Sequence, residues 1–425
     1  MTTGQLLAAI AWLLVVPSFT YAVDYTFSGH LRGQGRFSWH DEDNILSRQS
    51  DQQGFLDASV DLRLNGALFL TDNMSFEVAY EAVVSGGQTR ENLTDISRIF
   101  GSGNFLEPAA VSDDRQFFSL SRVFTETDEY LGYHRIDRLF LALDSQYGTV
   151  KIGRQPLTWG NGLVFNPADL INPFGPADII RDYKVGADMI LYQVGGKAFS
   201  DFQLVYVPRR DPEDGELHSS QTTVGTKLRL SANEKDVDLL LLSNYEDPVI
   251  GAGITGFLGS GVYRSDWTLT FLEDDPDTSY YLSAVANFDY SWSFDDKNWY
   301  GAVELYYNGL GADTPKEALE DEALRTRLAR GEIFVTGKYY FDGLVQYEMH
   351  PLVNGFVSII LNLEDFSFLL QPRITWECSQ TSQLLIGLDL PVGRDGDEFG
   401  EPEDSDVNST VGRPLIGYMV FTWFF

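Results

Sequence analysis

Apolar and polar residues alternate along most of the chain. In residues 56–70 the even positions are apolar, and most of the odd positions are polar or charged. The same period of two recurs in residues 337–349 and 366–377. Because successive side chains of a β-strand point to opposite faces, this period predicts strands with one apolar and one polar face. The alternation therefore indicates an all-β chain.

The last segment, residues 411–425, alternates in the same way, with aromatic residues crowding its end. Its other face is hardly polar, so the period alone also fits a buried strand of a soluble sandwich. A chain that ends on Phe, with an aromatic residue two positions earlier, resembles the terminal strand of Gram-negative outer-membrane β-barrels. The resemblance implies that the barrel assembly machinery recognises three aromatic residues as its signal: Phe421, Trp423 and Phe425.

The first 22 residues contain no charged side chain. An apolar run from Leu6 to Val16 is followed by Pro17 and by a small-residue site that ends at Ala22. This order predicts a cleavable signal peptide, and the run is shorter than the roughly 20 residues that span a bilayer. We therefore expect a signal peptide over residues 1–22 and one outer-membrane β-barrel over residues 23–425.

Alternation cannot separate a soluble sandwich from a membrane barrel, which turns its apolar face to lipid. The signal peptide and the terminal strand favour the membrane barrel. Short connections then become periplasmic turns, and longer polar stretches become extracellular loops. A turn near Gly259 to Gly261 is inferred from glycine alone. The result is a transmembrane antiparallel up-and-down barrel of about 18 strands, with about 16 as the alternative.

Composition agrees with this class and excludes others. Aromatic residues make up 14% of the chain, which suits the aromatic girdles of a barrel. A net charge of -32 makes nucleic acid an improbable partner, because phosphate binding needs clustered cations. The acidic runs indicate solvated loops, with cation-bridged contact to lipopolysaccharide as the alternative. Outer-membrane lipid and lipopolysaccharide are the expected surroundings.

No catalytic or cofactor motif stands out. The single Cys378 excludes an internal disulfide and a Cys-ligated metal site. The five histidines are scattered without metal-type spacing, and no G-x-S-x-G motif is present. We expect no enzymatic activity, no metal and no cofactor.

Two loops have local order. A capping pattern at Thr314 to Glu317, with Gly331 as a stop, predicts a short outside helix over the barrel rim. The third outside loop is rich in Asn-Pro and Gly, which indicates turns. Its stretch GRQPLTWGNGLVFNPADLINPF resembles one in little-characterised porin-like outer-membrane barrels, including relatives of the alginate-export type.

In diffusion porins the third loop folds into the lumen and narrows it, and we expect the same here in preference to packing across the rim. The candidate pore-loop residues are Arg154, Trp159, Asn161, Asp169, Arg181, Asp182 and Lys184. The polar faces of the strands predict a wet lumen that contains both signs of charge. The candidate lumen-facing residues are Arg32, Arg36, Asp61, Arg63, Glu77, Glu81, Lys227, Arg229, Lys338, Asp342 and Arg373.

These features predict a porin-like channel in the bacterial outer membrane for passive diffusion of small hydrophilic solutes, mildly favouring cations. The alternative is an export barrel, or a sheath that encloses a periplasmic partner such as a multihaem cytochrome. A homo-oligomer is compatible with the sequence, but a trimer would rest on fold-level analogy alone.

Overall fold

The computed structural model describes residues 24–42, 44–93, 112–173, 175, 183–197, 199–273, 278–400 and 414–425. The predicted signal peptide lies outside the described residues. The strands of the first half are β1 (Asp24–Trp39), β2 (Gly54–Thr71), β3 (Met74–Gly87), β4 (Ser121–Glu126), β5 (Tyr130–Ser145), β6 (Gly148–Gln155), β7 (Ala187–Val194), β8 (Asp201–Val207), β9 (Thr223–Ala232) and β10 (Lys235–Asn244). Those of the second half are β11 (Asp247–Leu258), β12 (Gly261–Phe271), β13 (Tyr280–Phe294), β14 (Lys297–Asn308), β15 (Tyr339–His350), β16 (Val353–Asn362), β17 (Phe368–Ser379), β18 (Ser382–Val392) and β19 (Leu415–Phe424).

Helices are few and short. In the described residues they are α1 (Ile45–Ser50), α2 (Pro315–Glu320), α3 (Glu322–Arg330) and a 3-10 turn at Ser219–Gln221, and residues 88–93 are also helical. In the described part of the chain, no helix is both long and apolar enough to cross a membrane. The predicted capping pattern is confirmed, since the Thr314 hydroxyl accepts from the Glu317 N–H and Gly331 ends α3 with a φ of 72°.

Apart from β4, which lies outside the β3–β5 ladder, consecutive strands pair antiparallel, and β1 closes the ring against β19. The terminal residue continues that closure, because the Phe425 N–H donates to the Gly29 carbonyl at 3.0 Å. Leaving β4 aside, the closed ring has 18 strands, which confirms the predicted count and topology. In this ring of 18 described strands each strand has a ladder partner on both sides, as a membrane requires.

The faces of the sheet are inverted relative to a soluble protein. Leu56, Val60 and Met419 are more than half exposed on the outer face, while Arg63 and Asp342 are almost fully buried on the inner face. The three aromatic residues of the predicted assembly signal also lie on the outer face, at the end of β19. The predicted lipid-facing and lumen-facing alternation is thus present.

The two ends of the barrel differ. Short turns join the strands at one end, the turn end, and the predicted turn at Gly259 is among them, with a φ of 62°. Longer loops join them at the other, the loop end. In chain order the loops used below are L1 (residues 40–53), L2 (88–129), L3 (156–186), L4 (208–222), L7 (309–338) and L9 (393–414).

The wall is low where L3 begins. The strands β6, β7 and β8 have 8, 8 and 7 residues, whereas β1 and β5 each have 16. One edge of β5 pairs with β3 over its length, and the other edge is shared. It pairs with β6 toward the turn end and with β4 toward the loop end. The β4 segment of L2 therefore occupies the wall position that β6 leaves when the chain enters L3.

Candidate functional site

L3 begins by packing on the inner wall. The Trp159 side chain is 1% exposed and lies in an apolar cluster with residues of β7 to β11, among them Met189, Val205 and Leu240. Its indole N–H donates to Gln203 Oε1 of β8 at 2.7 Å. Trp159 therefore anchors the start of L3 to the inner wall.

A second apolar cluster continues the path of L3 around the wall. Phe165 stacks on Tyr306 of β14, with ring centroids 4.4 Å apart, and also packs near Tyr340 of β15. Ile360 of β16 and Leu369 of β17 belong to the same cluster. The first half of L3 thus follows the inner wall from β7 to β17.

Two buried carboxylates bind the backbone of L3 between these clusters. Glu304 of β14 accepts the N–H groups of three consecutive residues, Leu163, Val164 and Phe165, at 2.7, 3.1 and 2.7 Å. Asp266 of β12 accepts from the backbone N–H of Asn161 and from its side-chain amide. Hydrogen bonds to a carboxylate are stronger than neutral ones, so these two residues fix the loop in place.

The second half of L3 is held by a buried ion pair within the loop. Lys184 Nζ donates to Asp169, to the Leu157 carbonyl and to the Thr158 hydroxyl. Burial raises the pKa of Asp169 to about 6, and the neighbouring Lys184 opposes that rise only in part. Burial also lowers the pKa of Lys184. The start and end of L3 are thereby joined to each other.

The last part of L3 contacts the opposite side of the barrel. The Arg63 guanidinium of β2 lies 3.6 Å above the Tyr183 ring, and the Tyr183 hydroxyl donates to Glu81 of β3. In strand order β2 and β3 lie about half the ring away from β14, where Glu304 binds the loop. L3 therefore has anchors on opposite walls of the lumen.

The predicted pore-loop residues take different positions. Trp159, Asn161, Asp169 and Lys184 belong to L3 and fix it, as described above, whereas Arg154 belongs to β6. Arg181 and Asp182 lie outside the described residues. In its strand Arg154 shares the parity of Ile152, which is 46% exposed on the outer face, yet Arg154 itself is 1% exposed. The structure thus places Arg154 in the wall.

All of the predicted lumen-facing residues except Lys338 lie at inward-facing positions of their strands. Lys338 precedes β15 at the loop end, and its Nζ lies 3.5 Å from Asp313 of L7. Charges of both signs alternate in ion pairs: Arg63 with Asp137, Arg135 with Glu81, and Arg229 with Asp238. Of the two arrangements that a mixed lumen permits, segregated or interleaved, the pairs on β2 to β10 are interleaved.

Three inner-wall arginines differ from the rest. Among the described residues, no carboxylate lies within ion-pair distance of Arg36, Arg138 or Arg373. Arg36 and Arg373 flank Tyr418 in register, with Gly387 between Tyr418 and Arg373. A Cβ on Gly387 would lie 2.3 Å from the Tyr418 hydroxyl oxygen, so the glycine makes room for that ring. These residues line the wall from β17 to β1.

Two other loops cover the barrel on the side of β10 to β17. In L7, Arg327 pairs with Asp247 at the start of β11, and the helices pack through an apolar cluster that includes Leu324. In L9, Glu398 accepts from the Tyr340 hydroxyl and from the Asn362 side chain. Sequence reasoning did not assign roles to Glu398 or Tyr183, because each acts through partners that are distant in the chain.

The described residues contain no group of three or more His, Cys, Asp or Glu side chains placed to hold a metal ion. The expectation of no metal, no cofactor and no enzymatic activity stays a prediction.

Comparison with known proteins gives the fold. No protein-family model matches the chain, and no curated protein matches it. Among solved structures, OccAB3 of Acinetobacter baumannii is similar with a TM-score of 0.54 and 8% identity, covering 95% of this chain and 99% of that chain. OccAB1 of Acinetobacter baumannii has a TM-score of 0.52 and 10% identity, covering 94% and 96%. OccK1 (OpdK) of Pseudomonas aeruginosa has a TM-score of 0.50 and 10% identity, covering 95% and 98%.

These three structures are outer-membrane β-barrel porins, and the chain shares their fold. The fold indicates a protein of the bacterial outer membrane. The further resemblance to alginate-export-type barrels stays a prediction.

Proposed function

We propose that this protein is an outer-membrane channel for passive diffusion of small hydrophilic solutes, with its turn end in the periplasm and its loop end outside the cell. The observation that carries the proposal is the position of L3. The loop lies inside a closed barrel and is anchored on opposite walls, at Glu304 and at the Arg63–Tyr183 contact. A loop fixed across the lumen narrows it without requiring a partner, which favours a channel over a sheath for a folded protein.

Charge selectivity is the finer part of the proposal. A net charge of -32 raises the cation concentration near the mouth, and this favours cations. Arg36, Arg138 and Arg373 oppose that effect within the lumen, because no described carboxylate lies within ion-pair distance of them and Asp389 is the nearby anion of Arg36 and Arg373. We therefore propose a mild preference for cations that weakens as salt screens the acidic loops.

The test is single-channel conductance of the refolded barrel in a planar bilayer under a salt gradient. We expect stable open steps and a reversal potential on the cation side. The R36Q/R373Q double variant should move the reversal potential further toward the cation limit, because it removes two positive charges from the wall. The matched control is R325Q, which removes an exposed arginine from α3 in L7. A folded barrel without conductance would contradict the channel.

The same proposal covers maturation and surroundings. Residues 1–22 would be removed as a signal peptide, and residues 23–425 would be inserted by the barrel assembly machinery. The outward position of Phe421, Trp423 and Phe425 supports recognition of the last strand. Lipid and lipopolysaccharide would surround the outer face, and association into homo-oligomers is part of the proposal without a defined interface.

A further inference from the structure

The inward turn of L3 leaves a gap in the wall. The β5–β6 pairing stops at Leu139 with Arg154, because the chain then leaves the sheet. Toward the loop end, β5 pairs with β4 instead, and the Ile136 N–H donates to the Leu120 carbonyl at 3.0 Å. Residues 112–126 of L2, here called the wall patch, therefore fill the gap.

The wall patch meets β7 through side chains. The Phe118 N–H donates to Asp188 Oδ2 at 2.7 Å, and the Asp188 N–H donates to Gln116 Oε1 at 3.1 Å. In the described residues, β7 forms backbone ladders with β6 and β8 only. The seam between the wall patch and β7 thus depends on a few side chains, not on a hydrogen-bonded sheet.

Arg154 joins the three chain segments that meet at this seam. Its Nε and Nη2 bind the two oxygens of Asp188 at 2.9 and 3.0 Å, and its Nη1 binds Asp113 Oδ1 at 2.9 Å. Its Nη2 also donates to the Phe118 carbonyl at 2.6 Å, and its Nη1 to the Ile136 carbonyl at 3.4 Å. We call this arrangement the Arg154 corner. It connects the last residues of β6, where L3 begins, with the first residues of β7, where L3 ends.

The wall patch also provides the outer surface. A charged residue on the outer parity of a barrel strand is costly when it faces lipid. Phe118 and Phe124 of the wall patch are 46% and 53% exposed, and Arg154 beneath the patch is 1% exposed. The patch thus covers the charge and restores an apolar outer face. L4 holds it from the other side, since Arg210 donates to the Phe117 carbonyl at 3.1 Å.

From this geometry we propose that Arg154 is a positioning residue for the pore loop. It holds L3 in the lumen by clamping the two ends of the loop to the wall patch, so that L2, an outside loop, sets the position of the constriction. Arg154 does not line the passage and does not contact the solute. The proposal rests on the proposed channel function only for its electrical readout.

The experiment measures how firmly L3 is seated. Ala168 of L3 is 1% exposed, so a cysteine there is protected from a membrane-impermeant thiol reagent while the loop is in place. With Cys378 replaced by serine, we expect R154Q to increase the labelling rate of A168C at least tenfold. D113N removes one carboxylate of the corner and should increase the rate about threefold. The matched control is R122Q, an exposed arginine of the same wall patch, which should leave the rate unchanged.

Conductance of the same variants separates this proposal from the channel function. Faster labelling together with larger or noisier open steps supports both. Faster labelling in barrels that do not conduct supports the role of Arg154 and contradicts the channel. An unchanged labelling rate in folded R154Q and D113N would overturn the role of Arg154. If R154Q does not fold, D113N and D188N provide the same comparison. If A168C is labelled in both of these variants as slowly as in the otherwise unchanged protein, the role of Arg154 is again overturned.

Discussion

Replacement of Glu304 by glutamine tests the anchoring of L3 most directly. Glu304 is 2% exposed, and each of its oxygens accepts two donors. Oε1 accepts from the N–H groups of Val164 and Phe165, and Oε2 accepts from the Leu163 N–H and the Asn287 side chain. In either orientation, the amide NH₂ of E304Q faces two donors and can accept from neither. Two hydrogen bonds are therefore lost while the size of the side chain is kept.

The magnitude follows from those two bonds. A hydrogen bond to a charged group contributes about 1.5–3 kcal/mol, so the loss is about 3–6 kcal/mol. Part is offset, because a neutral glutamine costs less to bury at this site than a carboxylate does. We expect the lower value, about 3 kcal/mol. At about 1.4 kcal/mol per factor of ten, this weakens the seating of L3 by about a hundredfold.

Hydrogen–deuterium exchange is the assay. In the wild-type protein the N–H groups of residues 163–165 are bound to Glu304 and should exchange slowly, and E304Q should speed their exchange by about a hundredfold. The matched control is D289N, which alters an inner-wall carboxylate that pairs with Arg264 and not with L3. Unchanged exchange of residues 163–165 in a folded E304Q barrel would refute the anchoring role.

Two further predictions concern pH. Burial lowers the pKa of His40 in L1 to about 4, so the stability that neutral His40 contributes is present above pH 6.5 and is lost as pH falls toward 4. Hydrogen–deuterium exchange of the α1 amides, corrected for intrinsic rates, should therefore speed up in acid, and H40L should remove that pH dependence. The same pH dependence in H40L as in the wild-type protein would contradict the role of His40. For Asp169 the sign is opposite, because its pKa is raised to about 6 in the folded protein, which then binds more protons than the unfolded chain at pH values near 5. The seating of L3 should therefore weaken as pH rises through 6, which exchange of the amides of residues 166–171 measures. The exchange of D169N should depend less on pH, and a D169N profile with the wild-type slope would argue against a role for Asp169 and Lys184.

Much of the fold could be predicted from the sequence because the period of two is a local property. The alternation in residues 56–70 is enough to show which face meets lipid once the chain is assigned to a membrane barrel. Glycine at 259 was a sufficient signal for its turn, since the turn needs a positive φ there. The lumenal position of L3 was also predicted, but from analogy with porins and not from its residues.

The anchors of the loop could be predicted less well. Glu304 and Asp266 look like other polar residues of inward faces, and only the folded barrel brings them to Asn161 and Phe165. One signal was present for Arg154. It follows Ile152 by two positions, so alternation places an arginine on the lipid side of its strand, and such a charge must be covered by another segment. That segment is the wall patch, and its strand β4 has only six residues, too few to be recognised from periodicity.

The Arg154 corner also constrains the order in which the protein can be built. Arg154 is 34 residues from Asp188 and 41 residues from Asp113 along the chain. The corner therefore cannot form until β7 has joined the sheet, although β5 and β6 can pair as a local hairpin before that. Between these two events the wall between β5 and β7 is open toward the loop end. That gap would then close only after β7 has joined, and L3 reaches its Glu304 anchor only once β14 is also in place.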